Sequence, residues 1–228
     1  MDDASKTTAA IRAALERDTD INLHAHPIEI RAENGTLRLE GEVENIIAKR
    51  KALRLARAAA HSDEIMDDLY VGAADEHGDG EVTVRVLDAL QREVAFGELH
   101  VGTDDDADLH VSVANGRVTL TGTMPSLSHR RLAEVLCWWV PGCRDVHNRL
   151  HVEPAEHDHD GEITDAIRLV LDKERSLNDI EIHVETAHAE VTLTGRVPSE
   201  ALGRIAVYDC WYVPGVHAVH NRLEIRPD

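Results

Sequence analysis

Two periods of apolar and polar positions succeed one another in a fixed order, three times along the chain. Helical spacing comes first: Ile11 and Leu15 within about 4–17, Val86, Leu87 and Leu90 within about 80–94, and Ile163, Ile167 and Leu171 within about 161–175. Strict alternation follows. Ile28 and Ile30 share one face, Asn34-Gly35 supplies a turn, and Leu37 and Leu39 answer on the next strand. Asn115-Gly116 repeats this hairpin signal in the second stretch, whereas His188-Ala189 stands there in the third and predicts a different turn. A second helix over 45–60, 126–139 and 199–212, then a last strand over 64–71, 144–152 and 217–225, closes each stretch. The pattern predicts an α+β fold: three tandem αββαβ units, each a three-stranded mixed sheet packed on two helices.

The residues themselves repeat. VTLTG at 118–122 returns at 191–195, and CWWVPGCRDVHNRLHVEP (137–154) lines up with CWYVPGVHAVHNRLEIRP (210–227). A degraded copy, LRLEG at 37–41, keeps the same distance from Gly41 to Leu69 as from Gly122 to Leu150 and Gly195 to Leu223. The acidic stretches GAADEHGDG (72–80) and EPAEHDHDG (153–161) show no periodicity and read as linkers. They divide the chain into a degenerate repeat 1–74 and repeats 78–154 and 160–228. The second repeat carries an extra loop, GTDDDAD, at 102–108. Units of about 70 residues have thin cores, so packing between them is expected.

The phrases VTLTG, VPG and VHNRL in the second and third copies resemble the BON family, named for bacterial osmotic-shock and nodulation proteins. The first copy fits through Leu37, Leu39, Gly41, Val43 and Leu69, with Ala60-His61 in place of Pro-Gly. These short apolar motifs speak for a fold more than for an activity. The resemblance implies a non-catalytic adaptor that contacts a phospholipid membrane or an envelope or osmotic-stress partner. It leaves two alternatives open: a cytosolic sensor of a monovalent cation, potassium, and a pure protein–protein scaffold.

Gly41, Gly122 and Gly195 fall in phase with Leu39, Leu120 and Leu193 on the inward face of their strands, where a tightly crossing helix would leave no room for a Cβ. On the last strand, Val146, Asn148, Leu150 and Val152 oppose His147, Arg149 and His151. The third copy repeats this alternation, with Val219, Asn221, Leu223 and Ile225 on the apolar side. Asn148 and Asn221 therefore need a backbone partner, and His147 and His220 read as solvated. Cys137 and Cys210 read as small buried hydrophobes, and with Cys143 they form no CxxC pair.

Aromatic residues make up only 3% of the chain, yet Trp138-Trp139 and Trp211-Tyr212 occupy matching places before Pro141-Gly142 and Pro214-Gly215. Neighbours on a helix point about 100° apart, so both members of a pair cannot enter one core. These four residues are the candidate interface, first for packing between repeats, and otherwise for a membrane surface or a protein partner.

Charge narrows the partners. Forty-three acids against 24 bases give −19, and 15 histidines would change that greatly in mild acid. Such a field repels phosphate backbones, so no nucleic-acid partner is expected. The basic cluster Lys49, Arg50, Lys51, Arg54 and Arg57 reads as a solvated helix face. His157, Asp158, His159 and Asp160 are metal-capable, but a flexible linker offers no supporting shell. Asp104, Asp105, Asp106 and Asp108 lack the calcium-loop pattern, so no metal or cofactor is expected. There is no phosphate-binding glycine loop, GxSxG or HExxH, which argues against an enzyme. The start MDDASKTTAAIRAALERDTD lacks a basic head and an apolar run, so the expectation is a soluble cytoplasmic chain, membrane-associated at most.

Overall fold

The computed structural model describes residues 3–33, 36–62, 64–72 and 77–226. The first repeat runs α1 (Asp3–Leu15), β1 (Glu29–Glu33), β2 (Thr36–Val43), α2 (Ile46–Ala60) and β3 (Ile65–Val71). The second runs α3 (Asp79–Gln91), β4 (Val101–Gly102), β5 (Leu109–Ala114), β6 (Arg117–Met124), α4 (Leu127–Trp138) and β7 (Asp145–Val152). The third runs α5 (Asp160–Lys173), β8 (Ile182–Ala187), β9 (Glu190–Val197), α6 (Glu200–Tyr212) and β10 (Ala218–Ile225). Single 3-10 turns at Val94–Phe96 and Arg175–Leu177 follow α3 and α5.

Each sheet has the same core. The hairpin pairs antiparallel and the last strand returns parallel to the middle one, with Gly41 opposite Leu69, Gly122 opposite Leu150 and Gly195 opposite Leu223. A parallel return needs a crossover, which the second helix provides. That helix starts each time on a polar cap: Asn45, Ser126 and Ser199 accept from the backbone N–H of Ala48, His129 and Leu202. Leu39, Leu120 and Leu193 are fully buried on the middle strands, each contributing roughly 2 kcal/mol of apolar transfer. The second sheet gains a fourth strand: β4 lies parallel to the start of β5, and Asp108 of the acidic loop accepts from the His100 N–H at 2.9 Å.

Three local expectations need correction. No helix crowds the three strand glycines. An added Cβ would meet the carbonyl oxygen of Pro27 at 2.6 Å, Asp108 at 2.0 Å and Glu181 at 2.5 Å, all on the chain leading into the adjacent hairpin strand. The glycines lie at φ +146°, +129° and +132°, a backbone conformation that a residue with a Cβ rarely adopts, while the strand register runs through them without a break. The second correction concerns the third hairpin. His188 and Ala189 have φ 54° and 62°, matching Asn115 and Gly116 at 55° and 73°, so both hairpins use the two positive φ angles of a type I′ turn. An acid on the opening helix holds each turn. Asp79 accepts from the N–H groups of Asn115 and Gly116, both at 2.8 Å, and Asp160 accepts from His188 at 2.7 Å and Ala189 at 2.8 Å. The first-repeat turn, Asn34-Gly35, lies outside the described residues.

Third, the basic cluster on α2 is not one solvated face. Lys49 is buried, its ammonium bonded to Asp67 and to the Leu69 carbonyl, while Lys51 pairs with Asp18 and Asp20. Arg57 alone of the five is exposed.

The chain forms two compact units, Met1–Gly72 and Ala73–Asp228. The first is one repeat around Ile11, Leu15, Leu39, Ala52 and Leu69. The second holds two repeats packed together, α4 against both α5 and α6.

A candidate functional site at the junction of the second and third repeats

Three of the four aromatics, Trp138, Trp139 and Tyr212, reach across the junction of α4 with α6. Trp138 and Trp211 are buried at 7% and 5% exposure, while Trp139 and Tyr212 are half-buried, as the angular offset within each pair requires. Trp138 and Tyr212, from different repeats, have ring centroids 6.2 Å apart and planes tilted by 30°. The Trp139 indole N–H donates across the junction to Asp209 Oδ1 at 3.2 Å. Packing between repeats therefore occupies much of the surface these side chains could offer to a membrane or a second protein.

Polar contacts complete the junction. Arg131 on α4, itself buried, donates to the Pro214 carbonyl at 3.0 Å and to both carboxylate oxygens of Asp158 at 2.8 Å. Both bonds to Asp158 come from Nη2, so one nitrogen is shared between the two carboxylate oxygens while Nε holds the Pro214 carbonyl. Lys173 at the end of α5 pairs with the buried Glu93 of the second repeat at 2.9 Å. Gly215 lies close beneath: a Cβ there would meet Ile163 at 3.2 Å and Arg131 at 3.4 Å.

The stretch between the two repeats is accordingly not a free linker. Asp158 holds Arg131, His159 Nδ1 accepts from the Glu162 N–H at the start of α5, and Asp160 holds the third-repeat turn. The turn amides keep the Asp79 and Asp160 carboxyls below the usual carboxylate range. Among the described residues no three His, Cys, Asp or Glu side chains converge as a metal site.

Asp209 is the junction residue that periodicity did not single out. It stands in register with Leu136 and Leu55 of the sister repeats, is 3% exposed, and its Oδ2 has no hydrogen-bond partner among the described residues. Burial raises its carboxyl to about 7, the charge of Glu174 pushes the same way, and the bond from Trp139 opposes them. Aligning the repeats would have exposed it, as an acid in a leucine column.

The remaining sequence candidates have structural partners. Asn148 donates to the Arg130 carbonyl at 2.8 Å and accepts from the Leu150 N–H, and Asn221 accepts from the Leu223 N–H at 3.0 Å. His147 lies 3.1 Å from the buried Asp145, and His220 bonds to Glu190 at 2.9 Å. Burial pushes the Cys137 and Cys210 thiols well up, and burial with the Asp145 charge takes Cys143 to about 12. None is a thiolate near neutral pH.

The third repeat also keeps one face open. On β7, Val146 and Leu150 are buried and Asn148 is half-buried; on β10, Val219 and Leu223 are only half-buried, Asn221 is exposed and Ile225 is 52% exposed. Among the differences on the helix above, Lys49 and Arg130 of the sister repeats give way to Gly203. A Cβ there would touch Asn221 and Leu223 at 3.8 and 3.9 Å, ordinary contact distances, so the cover is missing rather than sterically forbidden.

Among solved structures the chain is similar to the C-terminal domain of CdsD, the structural protein of the type III secretion system of Chlamydia trachomatis, at 17% identity over 96% of each chain, with a TM-score of 0.26. It is also similar to the PrgH periplasmic domain, at 12% identity over 88% of this chain and 95% of that one, with a TM-score of 0.23. Scores this low carry nothing about function. No curated protein matches. The BON domain model matches residues 2–73, 78–154 and 159–227, one match for each αββαβ repeat. The chain belongs to the BON domain family and contains three BON domains in tandem.

Proposed function

We propose that this chain is a non-catalytic adaptor that binds a protein partner along the open face of the third repeat. The observation that carries this reading is the row Val219, Asn221, Leu223 and Ile225 on β10, left uncovered where β7 is closed. β10 is also an edge strand, bonded on one side to β9. Such an edge offers a partner segment both backbone groups and apolar side chains. The other conspicuous groups are already engaged: the aromatics and Arg131 in the junction, the cysteines in the core, and the linker acids in turns and caps.

A phospholipid surface, which the family resemblance brings in, is the less favoured partner. A net charge of −19 opposes anionic lipid, and the aromatic anchors face the neighbouring repeat. Potassium sensing would announce itself as a rise in melting temperature with potassium and none with sodium.

The test uses affinity capture with the full chain, followed by titration of the purified captured protein. Ile225→Glu removes an exposed apolar contact, and Gly203→Arg places on the helix the long side chain that the second repeat carries at this position. Each variant is expected to weaken binding at least about tenfold with no loss of melting temperature, the scale of a central interface residue. Equal binding by wild type and both variants would refute the proposed surface.

A further inference from the structure

The buried carboxylate at the junction has no structural counterpart in the sister repeats. Leucine, which α4 and α2 carry at this position, would fill the site without a polar atom to satisfy. Asp209 instead places one oxygen on the Trp139 indole and leaves the other buried without a partner among the described residues. No ion pair among those residues reaches it. The junction cations are committed elsewhere, Arg131 to Asp158 and Pro214, and Lys173 to Glu93. The ionisable groups that bear on Asp209 are Glu174, at the end of α5, and Cys210 and Tyr212 on its own helix. None of them supplies a positive charge.

We propose that Asp209 is a proton-operated latch between the second and third repeats: neutral, it seals the junction against Trp139, and ionised, it loosens the third repeat from the second. An uncompensated buried carboxylate is strongly disfavoured, and no cation is at hand. Water is the remaining source of relief, and it reaches Oδ2 when α6 moves away from α4. The direction of the pH dependence follows from proton counting. The folded junction holds its proton up to about 7, whereas the unfolded chain releases it in the ordinary carboxylate range. The folded state binds the extra proton across that window. Stability therefore falls as pH rises towards about 7 and is flat with respect to this group above it.

Of the three tryptophans of the chain, Trp138 and Trp139 make contacts across this junction and Trp211 adjoins Tyr212 on α6, so intrinsic fluorescence reports on it. The experiment follows tryptophan emission and melting temperature of the full chain from pH 5 to about pH 8.5, beside Asp209→Leu and Asp209→Asn. Histidine titration is common to all three proteins, and the difference between them isolates Asp209. Wild type is expected to show an emission step centred near 7 and a melting temperature that falls as pH rises towards it and levels off above. Both variants should lack the step, and Asp209→Leu should be the more stable protein at the alkaline end. A carbon-13 titration of the Asp209 carboxyl in wild type gives a reading that does not depend on any variant folding. Parallel pH profiles in wild type and variants, or a carboxyl that titrates in the ordinary range, would overturn the latch.

Discussion

Two glycines on equivalent-looking repeats behave in opposite ways, and the difference is geometric. At Gly122 a methyl group would lie 2.0 Å from the Asp108 carbonyl oxygen with the backbone at φ +129°. The neighbours are backbone atoms of Asp108 and Leu109, paired into the same sheet, and cannot give way cheaply. Gly122→Ala is expected to destabilise the second unit by more than about 2 kcal/mol, the scale of strained backbone combined with overpacking. At Gly203, in the first turn of α6, the nearest atoms would be at 3.7–3.9 Å, ordinary contact. Gly203→Ala should stabilise the same unit by roughly 0.5–1 kcal/mol through helix propensity and a less flexible unfolded chain. Denaturant melts of the two variants check both signs. Periodicity placed Gly122 on the correct strand and face but misattributed its crowding, because a pattern of apolar positions carries no φ angles. Asp209 stayed hidden for a related reason. A single acid in an amphipathic helix looks like its solvated face until the repeats are aligned.

At the scale of elements, the six helices and the three closing strands were legible to within three residues at their ends. The turn chemistry was not. His188-Ala189 is absent from the usual vocabulary of type I′ turns, and what holds it is Asp160, 28 residues earlier on α5. The D-G-E triplets at 79–81 and 160–162 were the available signal, read as linker because acids in small-residue runs usually are. Two outcomes follow for the third hairpin. Ala189→Gly, which removes the cost of a Cβ at φ 62°, should raise stability by about 1 kcal/mol. Asp160→Ala should lower it and leave the turn amides more open to hydrogen exchange. The pH sign here is the reverse of that at Asp209. Because the turn amides depress the Asp160 carboxyl, its contribution is present above the ordinary carboxylate range and is lost as pH falls through the depressed value.

For the whole molecule, three repeats of one grammar have been put to different uses. The first stands as its own compact unit, with Ala58 and Arg57 where the others carry aromatics. The second and third are joined by those aromatics and by Arg131, and the third keeps an open strand. Periodicity and literal repetition revealed the copies and the family. They could not tell whether the aromatic pairs face a neighbouring repeat or the outside, because the two environments demand the same half-polar side chains. That distinction is the centre of the functional reading, and co-sedimentation with vesicles addresses it directly. Wild type and a folded variant with Ala at Trp138, Trp139, Trp211 and Tyr212 are spun with neutral and with anionic vesicles, at low and at physiological salt. If the aromatics join the repeats, wild type stays in the supernatant with every vesicle, its tryptophan emission unchanged. Wild type pelleting with vesicles, with the folded variant left in solution, would make the aromatics a membrane anchor and contradict the protein-adaptor account.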